Sequence, residues 1–396
     1  MPTTAARPFP HERALLFTLT AVQFTHILDF MIMMPLGARL MQVFGITPTQ
    51  FSLLVASYGF AAAATGFLGG FVLDRFDRRS ALLTLYTGFG IATLACALAP
   101  TYEILMAARI AAGACGGVAG SLVTSMVGDV IPPERRGRAM GMVMTAFPIA
   151  SVFGVPAGLI LSGWLEWHAP FQLLALCSAG ILFYARRVLP HVPAHRSDNH
   201  PVRQMVEILT HPIHRRCFLL SGVLVFAGAS VVPFMAPSLI TNVGLDERWE
   251  LPLVYLFGGA CAFVTMPWLG RLSDRHDKLH VLAVVSLLAV AVVPFITNLG
   301  PGPLPYTLVT TTLFFIAMSG RFAPAMAMIT NAVAARYRGG FMSVNSAVQQ
   351  ASGGLANLTA GLLITQTASG QLVGYARAGF VAGVAFVLTV VLAAWL

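Results

Sequence analysis

A chain of 396 residues that is 57% hydrophobic and only 10% charged lies outside the composition of soluble globular domains, in which about a quarter of residues carry charge. Its mean hydropathy is +0.78, and runs of about 20 apolar residues, each able to cross ~30 Å of hydrocarbon, leave no stretch for a sizeable soluble domain. The net charge of +9 sits in short clusters between those runs, where it reads as a topology signal rather than a nucleic-acid surface.

The polar start, MPTTAARPFPHERALLF, leads into an apolar stretch too long for a cleavable signal, so an uncleaved first span is expected. Apolar runs and their breakers predict twelve helices, starting near residues 13, 51, 80, 103, 139, 170, 217, 250, 279, 306, 341 and 374. An even number puts both termini on one side. With the N-terminus inside, the inside segments hold nineteen basic residues: Arg7, Arg13, Arg75, Arg78, Arg79, Arg135, Arg136, Arg138, Arg186, Arg187, Arg196, Arg203, Arg215, Arg216, Arg271, Arg275, Lys278, Arg336 and Arg338. The outside segments hold three, Arg39, Arg248 and Arg377. The imbalance predicts a multi-pass protein of the cell inner membrane with both termini cytoplasmic.

The expected fold class is all-α integral membrane, with twelve transmembrane helices in two six-helix halves. Residues 1–185 make the first half, 186–216 a cytoplasmic linker rich in Pro, His and Arg, and 217–396 the second half. An internal repeat supports the division. Gly70, Asp74, Arg75, Asp77 and Arg78 recur 200 residues later as Gly270, Asp274, Arg275, Asp277 and Lys278. Arg136 and Gly137 recur as Arg338 and Gly339, 202 residues on. Parallel repeats of this kind are an arrangement found in secondary transporters.

These loops resemble the major facilitator superfamily, and the likeness covers essentially the whole chain. The family's G-x-x-x-D-R-x-G-R-R loop is matched by Gly70, Asp74, Arg75, Arg78 and Arg79, with Asp77 in place of the second glycine. The resemblance implies a conformational latch: Asp74 capping the eleventh span, Arg78 and Asp129 holding the first half together, and Asp274 and Arg275 as the counterparts in the second. Arg109 with Gly113 and Gly117 resembles the R-x-x-x-G signature of the family's antiporters. Gly154, Pro156 and Gly158 resemble the Gly-Pro-Gly signature, with Ala150 where a leading glycine is usual. Both signatures imply efflux by antiport.

Asp29 is the acid placed well inside a span, and lipid excludes a lone carboxylate unless it has a partner or a watery cavity. Gln23, His26 and Asp29 follow at intervals of three on one side of the first helix. From Arg13, Asp29 lies ~24 Å along the axis at ~1.5 Å per residue, and Arg109 enters the fourth span at a compatible depth. An Asp29 and Arg109 pair with His26 one turn away is therefore the expected proton-coupling site. Desolvation favours a neutral acid and a neighbouring cation favours the carboxylate, so alternating access could load and release one proton.

Arg321, in the tenth span, has no repeat counterpart and no intramembrane acid in its own half. Three readings stay open for it: a grip on an anionic substrate group, contact with Asp29, or a bond to a backbone carbonyl or water. Gln23, Arg321, Asn345, Gln349, Phe234 and Tyr255 are the expected substrate contacts. Gln350 and Asn357 could hydrogen-bond substrate or join helices, and Phe226, Phe314 and Phe322 are further wall candidates. Cys96, Cys115, Cys177, Cys217 and Cys261 show no CxxC spacing and read as packing thiols, with no metal site expected.

No HExxH, GxSxG or nucleotide-binding loop is present, which argues against an enzyme or a primary pump. The expected function is proton-coupled export of a small organic molecule by one chain acting alone. It needs no cofactor beyond the proton gradient, and its partners are substrate, protons and lipid. Proton-coupled uptake of an anionic metabolite or siderophore-like compound is the alternative.

Overall fold

A computed structural model describes residues 12–72, 76–192 and 201–396. The first crossing is α1 (Glu12–Ile32) followed by the short α2 (Gly37–Phe44). The next three are α3 (Pro48–Val72), α4 (Arg78–Ala97) and α5 (Tyr102–Val130). The fifth is assembled from α6 (Pro133–Met144), α7 (Ala146–Ile149), a widened turn at Ala150–Gly154 and α8 (Val155–Trp164), and α9 (Ala169–Val188) is the sixth. After α10 (Pro201–Thr210), the seventh crossing joins α11 (Pro212–Ala229), α12 (Val232–Ser238) and a second widened turn, Leu239–Val243. Then follow α13 (Glu250–Arg275), α14 (Lys278–Thr297), a tenth crossing made of α15 (Leu304–Gly320) and α16 (Phe322–Ala332), α17 (Arg338–Leu363) and α18 (Tyr375–Trp395). A two-stranded hairpin, β1 (Thr365–Gln366) and β2 (Leu372–Val373), joins the last two, with Thr365 opposite Val373.

The protein is thus an all-α multi-pass membrane protein, with helix starts at or within a few residues of those expected. Eleven crossings are long and apolar enough to span a bilayer by composition alone. The remaining one, the eleventh crossing α17, is as long as the others, but it carries Asn345, Gln349, Gln350 and Asn357 and lies along α3. The segment expected as a linker, 186–216, holds the end of α9, all of α10 and the start of α11.

Local breaks follow from proline chemistry. Pro156 has no N–H for the i−4 ladder, and the turn before it widens so that Val155 N–H bonds back to Ala150. Pro324 likewise cannot bond to the Gly320 carbonyl, and the tenth crossing breaks there, leaving Arg321 between two helices. The unexpected acids of the repeated loops act as helix caps. Asp77 caps α4 by accepting from Ser80 N–H at 2.9 Å, and Asp277 caps α14 by accepting from Leu279 N–H at 2.9 Å.

With twelve crossings, Glu12 and Leu396 end on one face of the bundle, here the terminal face; the other is the distal face. Near the distal face the first six and last six crossings share one apolar core, in which Phe51 meets Phe234 edge-on at 5.7 Å. Near the terminal face the cores are separate, one running from Leu15 to Val192 and the other from Met205 to Ala393. Phe67, in the last third of α3, packs on the latter. The halves thus share an apolar core towards the distal face and keep separate apolar cores towards the terminal face.

Candidate functional site

α1 and α5 run antiparallel, and α5 presents Arg109 one turn before a row of glycines at Gly113, Gly116, Gly117 and Gly120. The row lets neighbouring helices come close: a Cβ on Gly113 would stand 2.4 Å from the Tyr58 carbonyl oxygen of α3. At this seam Arg109 Nη1 donates to Asp29 Oδ2 at 2.6 Å and reaches the Asp29 carbonyl at 3.3 Å. Both side chains are wholly buried. Thr93 on α4 donates to Asp29 Oδ1 at 3.4 Å, and the Tyr58 ring lies 4.6 Å from the guanidinium carbon.

A buried pair in this setting is costly to desolvate and costlier to leave half-made. Asp29 and Arg109 offset each other while both are charged, and a proton on Asp29 leaves Arg109 a cation without its counter-ion. Arg109 keeps Nε and Nη2 without a protein partner, so the pair retains donors for another group. Thr93 and Tyr58 belong to this site and were not legible beforehand, because nothing in a threonine or tyrosine inside an apolar run marks it as facing a charge.

His26 does not hydrogen-bond Asp29. Its backbone carbonyl accepts from Tyr58 Oη at 3.4 Å, and its ring Nε2 has no protein partner. Gln23 Oε1 is likewise buried and unpartnered.

The other expected substrate contacts lie apart from this pair. Arg321 is wholly buried, 4.2 Å from the Phe386 ring of α18, and Nη2 contacts Met318 Sδ at 3.6 Å. Among the described residues no carboxylate lies within ion-pair distance of it, and Asp29 is already taken by Arg109. Gln349 Nε2 donates to Ser221 Oγ at 2.8 Å, joining α17 to α11. Asn345 and Asn357 are buried with unpartnered Oδ1 atoms. Phe234 is in the core, while Tyr255 stacks edge-on with Phe315 at 5.7 Å and leaves its hydroxyl unpartnered.

Of the expected latch, Arg78 Nε meets Asp129 Oδ2 at 3.3 Å, tying α4 to α5. Gly70 lies in α3, Asp74 and Arg75 lie outside the described residues, and Asp274 and Arg275 are exposed. Asp77 also accepts from Val192 N–H at 2.9 Å, so the loop is tied to the end of the sixth crossing. Its carboxyl lies below the ordinary aspartate range: slight burial pushes it up, and the hydrogen bonds from Ser80 and Val192 outweigh that.

The distal face carries a second cluster. Trp164 and Trp249 meet edge-on at 5.7 Å across the two halves, Arg248 packs on Gly163, and Arg39 donates to the Ser162 carbonyl. Burial pushes the Glu247 carboxyl above its ordinary range, and Arg39 pulls it partly back.

Twelve crossings in two halves, with a buried ion pair at the seam of one half and an apolar core shared by both at one face, are the architecture of a secondary transporter. The sequence profile of the Major Facilitator Superfamily matches residues 19–356, and the chain belongs to that superfamily. It is a transporter and not an enzyme. Two relatives are similar in sequence. One is a chloramphenicol resistance protein of Streptomyces lividans, 28% identical over 74% of this chain and 77% of its own length. The other is a probable sugar efflux transporter of Pasteurella multocida (strain Pm70), 21% identical over 65% of this chain and 63% of its own length. Among solved structures, a bacterial homolog of the human lysosomal transporter Spinster, inward-facing and unoccupied, superposes with a TM-score of 0.72 at 17% identity, covering 98% of this chain and 95% of its own.

Proposed function

We infer that the protein exports a small organic molecule from the cytoplasm in exchange for protons, working as a single chain in the cell inner membrane. The observation that carries this reading is the fully buried Asp29 and Arg109 pair at 2.6 Å. A proton on Asp29 releases Arg109, and loss of that proton restores the pair, so one carboxylate couples two fluxes as the halves rock.

The excess of basic residues on the segments expected inside, nineteen against three, supports a cytoplasmic terminal face. Relatives named for resistance and for sugar efflux support export. The Arg78 and Asp129 contact acts as a latch between rocking states. Arg321 favours a second reading, uptake of an anionic metabolite with protons, because a buried guanidinium without a carboxylate can take an anion.

Proteoliposomes of known orientation containing a pH dye test both readings, with chloramphenicol, a neutral sugar and an organic anion as probes. Proton movement opposite to an added probe, lost in Asp29→Asn, is the expected result. Movement in the same direction establishes symport instead, and wild-type coupled flux in Asp29→Asn removes Asp29 from the mechanism.

A further inference from the structure

α1 sets Gln23, His26 and Asp29 on one face at three-residue steps. At the top of this row Asp29 is occupied by Arg109 and Thr93. Below it, Gln23 Oε1 and His26 Nε2 are withdrawn from the surface and have no protein partner. Both converge on one place: a Cβ built on Gly120 of α5 would lie 3.0 Å from His26 Nε2 and 3.5 Å from Gln23 Oε1. Buried polar atoms are almost always hydrogen-bonded, and those without protein partners are satisfied by water.

The level of this spot is set by the two antiparallel helices. Gln23 lies about 16 Å from the start of α1, and Gly120 about 15 Å from the end of α5, at ~1.5 Å per residue. Towards the terminal face the seam continues with half-buried hydroxyls, Thr20 on α1 and Ser121 and Thr124 on α5. Each donates its hydrogen to a backbone carbonyl of its own helix, which leaves the oxygen free to accept. Partial exposure of these three residues brings the row to the surface of the first half.

We propose that Gln23 and His26, set against Gly120, hold the water that carries protons between the cytoplasm and Asp29. This deepens the proposed function and rests on Asp29 as the proton carrier. A proton leaves the Asp29 carboxyl for a water, and that water passes a proton to His26 Nε2. His26 returns it to the next water beside Gln23 and ends as it began. One proton moves, the Asp29 carboxylate re-forms its pair with Arg109, and no other group changes.

The test uses the full chain in liposomes and follows protonation of Asp29 by time-resolved infrared spectroscopy after a pH jump. The carboxylic C=O band is assigned by its loss in Asp29→Asn. In His26→Leu and Gln23→Leu the Asp29 band is expected to reach its wild-type endpoint on the order of tenfold or more slowly, as when a positioned proton-transfer group is lost. Gly120→Ala, which keeps both side chains and presses on His26, should slow it by less. If the leucine variants do not fold, as judged by gel filtration, Gly120→Ala carries the test. Wild-type rates in the folded variants overturn the water path while leaving Asp29 as carrier. If no band disappears in Asp29→Asn, the proposed function itself fails.

Discussion

The two halves are built alike and differ in how they treat a buried arginine. In the first, Arg109 is met by Asp29 at 2.6 Å, with Thr93 and Tyr58 around the pair. In the second, Arg321 lies as deeply, against the Phe386 ring and Met318, with no carboxylate among the described residues. Repetition of a helical framework therefore does not repeat its chemistry. A charge can be held by a titratable partner in one half and by an aromatic face in the other. Only the first arrangement can exchange a proton for a counter-charge.

The sharpest way to break this comparison is to remove one partner from each half. Arg109→Met leaves Asp29 buried alone and should cost about 3–5 kcal/mol, read by thermal unfolding in detergent, with coupled flux lost. Arg321→Met removes a cation that no acid among the described residues offsets. It should leave stability unchanged or raise it by up to about 4 kcal/mol. A loss as large as that in Arg109→Met would reveal a partner for Arg321 and make the halves equivalent. If Arg321 grips substrate, the same variant weakens transport of anions more than that of neutral compounds.

Close helix approach at the α5 seam gives a smaller effect. Gly113→Ala places a methyl group against the Tyr58 backbone and should cost about 1–3 kcal/mol. Gly137→Ala, where nothing lies within 4 Å, should be neutral or stabilising. Equal unfolding temperatures for the two would remove the seam as the constraint that holds α1 and α3 around Arg109.

The distal cluster yields a pH dependence. Burial raises Glu247 above its ordinary value, so the shut arrangement binds the proton more tightly than one in which Glu247 is solvated. Shutting is therefore favoured as pH falls through the range just above an ordinary glutamate and weakened as pH rises through it. Near-ultraviolet circular dichroism from the edge-on Trp164 and Trp249 contact should weaken across that range, and Glu247→Gln should flatten the profile. The smallest effect is expected at the caps, where Asp77→Ala should cost about 1 kcal/mol, measured by chemical unfolding.

Much of this arrangement is legible in the residues because lipid enforces simple rules. Apolar runs must be about one bilayer long, which located all twelve helices, including α17 despite its amides. A carboxylate inside a span needs a partner, which led from Asp29 to Arg109. The same rule names no partner for Arg321, since the aromatic face that receives it is one of 27 phenylalanines. His26 shows the limit of helical spacing: one turn from Asp29 is close along the axis, yet its ring turns to Gly120.

What the sequence by itself determined is the membrane class, the number of crossings, the repeat and the acid that lipid cannot tolerate alone. These follow from hydropathy, spacing and charge, which act locally along the chain. The tertiary structure decided which side chains surround that acid, that Asp77 and Asp277 cap helices, that Arg321 stands against a ring, and that the halves share an apolar core at the distal face. Those outcomes depend on contacts between helices far apart in the chain, and their geometry is set by packing once the helices are in place.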